Sequence, residues 1–421
     1  MSTHQVSVGY LRRHAGALLG IGGLSAAGIV ATSAFHVVTG RGLGPAAFGL
    51  LAAFLAIVNI AAIGASSLQN SVAVSTASVS AEGERGGAGF RAGRVMDAST
   101  IEALVLGGAV TLATVACAPA LADALTTSRL AIYLAAATVL PSFLLSVAQG
   151  RLQGSGRILA VATWSTGSQV MRLLLGVAVL AAGLAAVSLL VAVLVSITVV
   201  AVGAAYQSRH LLLPASTRAF SGRSGVLILL TLSFAWLTNM EVVLVRIGAP
   251  EDVAGTYAAA AVLDKMILLV PTMLSLYLLP RFVARQADGE AARYGVNVVL
   301  LTVSAAGLLA VVGTAVVGPL VVRLLFGEGY DLSAELLPWL ALAYLPWALV
   351  QGVLIRLTAN ASAPALAVLL VAAGVQAVAI PQVLPDPFNV SVVVGVLGVL
   401  VLAFLLLLHL RSSRSLPIAA L

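Results

Sequence analysis

Six ionisable side chains interrupt long apolar stretches of this chain: His36, Arg172, Glu241, Arg246, Asp264 and Lys265. A charge taken out of water needs an opposite charge, a hydrogen-bonding neighbour or a ligand, so each position marks pairing or chemistry. Lys265 is the only lysine among 22 basic residues; its compact, titratable ammonium differs from the guanidinium used everywhere else. Glu241 and Lys265 flank a short turn at residues 248–254. At ~1.5 Å rise per helical residue they lie within about a turn of the same depth. They can therefore pair, and two readings stay open for Glu241, Asp264 and Lys265: a tie between two helices, or contact with a substrate or a coupling ion. His36 is read as a packed or hydrogen-bonded residue, with a proton relay as its alternative. Asp97 and Glu102, beside Arg91 and Arg94, are read as a solvated helix start that complements its dipole.

The elements that carry these residues follow from composition. Hydrophobic residues make up 61% and charged ones 9% of the 421 residues, against about 45–50% and 25% in a soluble domain. So little polar surface cannot cover so much apolar volume in water, and a bilayer must be the solvent. Twelve apolar runs have spanning length, at residues 15–39, 45–71, 95–118, 130–149, 158–180, 184–207, 226–247, 255–279, 296–317, 336–355, 363–380 and 390–410. About 20 residues cross the hydrocarbon as a helix, and backbone in lipid must bond internally, so each run is predicted to be a helix. The first is too long for a signal-peptide core and is read as an uncleaved span. The fold class is an all-α polytopic membrane protein.

The twelve helices form two copies of one unit. Shifting LPSFLLSVAQGRLQGSGR at 140–157 by 205 positions puts Leu140-Pro141 on Leu345-Pro346, Arg151 on Arg356 and Leu152 on Leu357. Gly49-Leu50-Leu51-Ala52-Ala53 and Gly255-Thr256-Tyr257-Ala258-Ala259 lie 206 apart. Two agreeing offsets indicate duplication, with a first lobe at 1–207, a cytoplasmic linker at 208–225 and a second lobe at 226–421. With the N-terminus inside, 16 of the 22 basic residues fall in cytoplasmic segments, among them the loops 85–94, 209–223 and 281–293. The positive-inside rule then puts both termini in the cytoplasm of a cell-membrane protein. Six helices per lobe make the repeats parallel, related by an axis along the membrane normal with a cavity between them.

Several classes are excluded. The longest outer loop, 318–335, is too short for a catalytic domain, and no Ser/His, Cys/His or paired-acid arrangement sits at membrane depth. No enzyme activity, metal or cofactor is expected. Cys117 is the one cysteine, which excludes an internal disulfide and is read as a small buried apolar residue. The net charge of +7 is dispersed as arginines between apolar runs, so nucleic acid is not an expected partner.

Four stretches carry a resemblance: GRGLGPAAFGLLAAF after the first helix, GRLQGSGRILAVATWSTGSQVMRLLLG across the fourth and fifth, IGAPEDVAGTYAAAAVLDKMILLVPTMLSLYLLPRFVAR, and GPLVVRLLFGEGYDLSAELLPWLALAYLP. Together they are similar to the Wzx-type lipid-linked oligosaccharide flippases of the MATE/polysaccharide-flippase (MOP) superfamily, over nearly the whole chain. The similarity is one of turns and helix ends. It implies a MATE-like, V-shaped pair of six-helix lobes, alternating access, and a polyprenyl pyrophosphate-linked glycan as substrate, its lipid tail left in the bilayer. Membrane lipids and other glycan-assembly membrane proteins are the expected partners. On this resemblance Arg41, Arg172, Arg246 and Lys265 are the substrate-binding candidates, since a pyrophosphate calls for at least two cationic donors. Glu241, Asp264 and His36 are the ion-pair or coupling candidates. A multidrug/cation antiporter of the same superfamily is the rival reading, and there Glu241 would have to act nearly alone. A polymerase or ligase of glycan assembly lacks the long outer loop it would need.

Overall fold

The computed structural model of the chain describes residues 3–84, 96–214, 222–268, 289–359 and 362–414, and among these there is no strand. One helical run, Thr3–Glu84, is broken at Gly44, whose φ of 73° and ψ of 171° are open only to glycine. Pro45 follows at the start of the next helix, where its missing N–H is harmless. The break divides the run into α1 (3–43) and α2 (45–84). Then come α3 (Ala98–Ala116), a short helix (Ala118–Ala124), α4 in two pieces (Arg129–Ala137 and Val139–Gly154), α5 (Ile158–Ala181) and α6 (Ala186–Ser208). In the second half α7 also has two pieces (Gly222–Leu237 and Met240–Gly248). It is followed by α8 (Glu251–Asp264, tightened to a 3-10 turn at Lys265–Leu268), α9 (Gly289–Leu325), α10 (Asp331–Ala359), α11 (Ala363–Val383) and α12 (Pro387–Arg414).

Among the described residues all twelve expected helices are represented; of the eighth, expected at 255–279, residues 269–279 lie outside the described residues. Among the described residues, nine helical stretches, the first of them α1 and α2 together, are long and apolar enough to cross a membrane. On α9, Leu301, Leu309, Val316, Leu320 and Leu324 are 67–74% exposed, a face that suits lipid and not water. One loop differs from expectation. Residues 318–335 are mostly helix, because α9 runs through Gly318-Pro319 to Leu325 and α10 starts at Asp331. A proline removes one backbone bond, and the apolar residues after it carry the helix on. Arg85, Arg91, Arg94, Arg218, Arg281 and Arg285, on which much of the orientation argument rests, lie outside the described residues.

The chain forms two compact units. The first comprises Met1–Thr39, Ala65–Asp123 and Thr127–Ser221; the second comprises Gly40–Gly64, Ala124–Thr126 and Gly222–Leu421. In the first, Leu145 and Ala148 on α4 pack with Val200, Ala201 and Ala204 on α6, and Trp164 covers the cluster. Side-chain hydrogen bonds add to this core: Thr166 Oγ1 donates to the Leu24 carbonyl at 2.7 Å, and Trp164 Nε1 donates to Gln207 Oε1 at 2.6 Å.

The second unit takes in the start of α2, which sequence order assigns to the first half. Gly49 and Gly255, equivalent in the repeat, make this packing possible. A Cβ on Gly255 would lie 1.8 Å from the Pro45 carbonyl oxygen, and one on Gly49 would lie 2.8 Å from the Gly255 nitrogen. No other residue type allows so close a backbone approach. Around this crossing Phe48, Phe326 and Tyr330 form an aromatic cluster, and the Tyr330 hydroxyl donates to the Gly40 carbonyl at 2.7 Å.

Candidate functional site

Each unit holds one of the sequence-predicted centres. In the first unit α5 carries Arg172 and α1 carries Phe35, and the guanidinium carbon lies 4.8 Å from the centroid of the Phe35 ring. Nε of Arg172 is buried with no hydrogen-bond partner, and among the described residues no carboxylate forms an ion pair with this arginine. Beside it, the rings of Phe35 and His36 are edge to face, with centroids 5.8 Å apart and planes at 82°. His36 Nδ1 is 2.8 Å from the Thr32 carbonyl. A carbonyl only accepts, so Nδ1 carries the proton. Arg172 and His36 are therefore brought into one neighbourhood by α1 and α5.

The second unit gathers a denser cluster. α7 breaks at Thr238–Asn239, and two side chains meet carbonyls freed near the break: Asn239 Nδ2 donates to Ala235 O at 2.8 Å and Gln376 Nε2 to Leu237 O at 2.9 Å. Glu241 lies in the first turn of the second piece of α7 and is fully buried. Its Oε1 receives Lys265 Nζ at 2.7 Å and the Tyr344 hydroxyl at 2.5 Å, while Lys265 Nζ also lies 5.7 Å from the centre of the Tyr344 ring. Oε2 of Glu241, Oδ2 of Asp264 and the Tyr257 hydroxyl are buried without partners. Among the described residues no donor meets Asp264 Oδ2. Glu241 takes the Lys265 ammonium, and Asp264 has no ion-paired counter-charge among the described residues, so one proton or one small cation would balance it. Tyr257 and Tyr344 escaped the sequence reading because neutral side chains carry no charge signal at depth. Their signal is that a buried phenol needs a hydrogen-bond partner.

The remaining candidates stand apart. Arg246 is held by Glu251, Nη2 to Oε1 at 2.6 Å, with the arginine side chain 3% and the glutamate 57% exposed. Arg41 is exposed and reaches the Leu324 carbonyl at 3.4 Å. No group of three or more His, Cys, Asp or Glu that could hold a metal occurs among the described residues.

Two expectations need correction. Asp97 is not a solvated helix start: it is 2% exposed, and its carboxylate is paired with Arg151 at 2.6 Å. Oδ1 also accepts from the Thr100 backbone N–H, while Oδ2 accepts from the backbone N–H of Leu213 at 2.9 Å, just past α6. The ends of α4 and α6 fold over the start of α3 and take it out of water. Burial alone would raise the pKa of Asp97. The Arg151 charge and the hydrogen bonds from Leu213, Thr100 and Ser99 outweigh it and hold the pKa below the ordinary carboxylate value. Cys117 is exposed rather than buried, because along α3 just Ser99, Ala103 and Gly107 are buried and the helix turns most of its surface outward.

The polysaccharide biosynthesis protein family matches residues 38–335. No curated protein matches the chain. Among solved structures, the chain is similar to an inward-facing multidrug resistance MATE transporter of the MOP superfamily, with TM-score 0.62 and 16% identity, covering 93% of this chain and 96% of that one. The inward closed lipid II flippase MurJ gives TM-score 0.66 at 12% identity, over 92% and 87% of the two chains. A eukaryotic MATE transporter gives 0.63 at 12% identity, over 96% and 99%. The family match spans well over half of the sequence, and the fold agrees along nearly all of it: this chain is a multi-pass membrane protein that belongs to the polysaccharide biosynthesis protein family and has the helical fold of the MOP superfamily.

Proposed function

We propose that the protein moves a lipid-linked oligosaccharide or polysaccharide precursor across the cytoplasmic membrane by alternating access, with both of its termini in the cytoplasm. It binds and releases its cargo unchanged and is not an enzyme. The observation that carries this reading is Arg172, a half-buried arginine whose Nε is buried without a hydrogen-bond partner and which has no ion-pair partner among the described residues. An anionic headgroup such as a pyrophosphate is the ligand such a charge lacks. Family membership supports a glycan-assembly role, and the lipid II flippase among the structural neighbours is a fold precedent for lipid-linked cargo. Arg41 is exposed. Arg246 and Lys265 would have to exchange Glu251 and Glu241 for the substrate.

Arg172→Ala is expected to abolish glycan export at normal membrane abundance, measured in cells by surface glycan and immunoblot. Full export by that variant refutes the reading. Cysteine labelling should find the 85–94, 209–223 and 281–293 loops protected from impermeant reagents added outside; labelling there would reverse the orientation.

One observation favours a second reading, that of a multidrug/cation antiporter. Glu241, Asp264 and Tyr257 turn three unpartnered buried oxygens into one cluster, which suits a coupling proton or cation. Glu241→Gln should then uncouple transport from an imposed ion gradient. In a carrier driven by its substrate gradient alone, the same change leaves the gradient response as it was.

A further inference from the structure

We propose that Phe35 is a positioning residue for Arg172: its ring holds the guanidinium at membrane depth without cancelling its charge, so that the charge stays available to a phosphate. The inference rests on Arg172 being a phosphate contact. The ion-paired cations among the described residues are neutralised by carboxylates at 2.6–2.7 Å: Arg151 by Asp97, Arg246 by Glu251 and Lys265 by Glu241. A carboxylate solves the desolvation problem by removing the net charge. An aromatic face solves part of it differently, because the negative face of the ring quadrupole attracts the cation and leaves its hydrogen-bond donors free.

The ring is built to stay in place. Phe35 is completely buried. Gly176 lies one helical turn beyond Arg172 on α5, and a Cβ there would come within 2.9 Å of Phe35 Cε2 and 3.1 Å of Cδ2. Residues four apart share a helix face, so α5 offers the ring a notch at Gly176 and the guanidinium at Arg172. The His36 ring also meets Phe35 edge to face.

The test uses the purified full-length protein and inorganic pyrophosphate as the probe, with binding measured calorimetrically. Replacing Phe35 by 3,4,5-trifluorophenylalanine weakens the ring's negative face and barely alters its shape. It should weaken pyrophosphate binding about tenfold, and Phe35→Leu at least as much. Gly176→Ala pushes the ring off its seat and should fall between wild type and Phe35→Leu. Gly167→Ala, on the same helix with open space around it, should bind like wild type. If Arg172→Ala binds pyrophosphate as wild type does, the phosphate reading of Arg172 falls and this inference with it. If Arg172→Ala loses binding while the trifluoro and Leu variants keep wild-type affinity, the role of Phe35 alone is overturned.

Discussion

A shift of 205 positions lays α1 on α7 and puts His36 on Glu241, yet the two units use these equivalent places in opposite ways. In the second unit the acid neutralises Lys265 and accepts from Tyr344. In the first, the neighbourhood of His36 holds Arg172 against an aromatic ring, with no ion-paired carboxylate among the described residues. The backbones differ too. α7 breaks at Thr238–Asn239, where Asn239 and Gln376 meet freed carbonyls. α1 runs unbroken through the equivalent Ser33-Ala34, and the places of Asn239 and Gln376 are taken by Ala34 and Met171, which cannot cap a carbonyl. On the 205-residue repeat read from the sequence, helices correspond while their polar side chains differ. On the proposed reading, a carboxylate-held cation belongs to the scaffold, whereas an aromatic-held one stays ready for an anion.

The largest expected effect tests that division directly. Arg172→Ala removes a charge-assisted contact and should cost export thirtyfold or more, from about 2–5 kcal/mol for truncating a buried charged hydrogen-bond partner. Lys265→Ala alone should also fail, because Glu241 is left buried and uncompensated. The double change Lys265→Ala with Glu241→Gln should recover most of the export, since no buried charge then lacks a partner. If the double variant stays inactive, Lys265 does more than neutralise Glu241.

Next in size is the carboxylate-held pair of the first unit. Asp97→Ala strands Arg151, which is 5% exposed, and should lower unfolding free energy in detergent by about 3–5 kcal/mol. No such loss would mean that water or another acceptor reaches Arg151. The pH dependence has a defined sign. The pKa of Asp97 is depressed in the folded protein, so its contribution is complete above the ordinary carboxylate pKa of 3.8 and fades as pH falls below it. The gap between wild type and Asp97→Asn should be constant from pH 7 to about 5 and shrink on further acidification. A gap that instead widens on acidification contradicts the depressed pKa.

How far these features were legible in the sequence depended on the distance between partners. The Glu241–Lys265 pair could be foreseen, because the two residues flank one short turn and helical rise fixes their depths. The Gly44-Pro45 turn was equally plain, since glycine and proline punctuate an apolar run. The clamp on Asp97 was hidden. Its partners Arg151 and Leu213 are 54 and 116 residues away, and local pattern alone makes an aspartate before a helix look like a solvated cap. The break in α7 was hidden for a similar reason: Thr238-Asn239 lies within one apolar run, and Gln376 comes from 139 residues along the chain from its acceptor Leu237. Phe35 gave no signal, because a phenylalanine in a hydrophobic helix looks like any other core residue.

The smallest effect concerns that break. Gln376 is fully buried; its Nε2 bonds the Leu237 carbonyl, while its Oε1 has no partner. Gln376→Met copies the first unit's Met171 and has two consequences that oppose each other. One hydrogen bond worth about 1 kcal/mol disappears and leaves a carbonyl unmet, but an orphan buried oxygen costing about 1–3 kcal/mol disappears with it. The net change in unfolding free energy should stay within about 1 kcal/mol of zero. Asn239→Ala removes the bond to Ala235 O with no such relief, so it should destabilise more than Gln376→Met. Denaturant titrations of the two variants side by side decide the matter. If Gln376→Met proves the more damaging, α11 rather than Asn239 holds the break open, and the difference between α1 and α7 traces to position 376 alone.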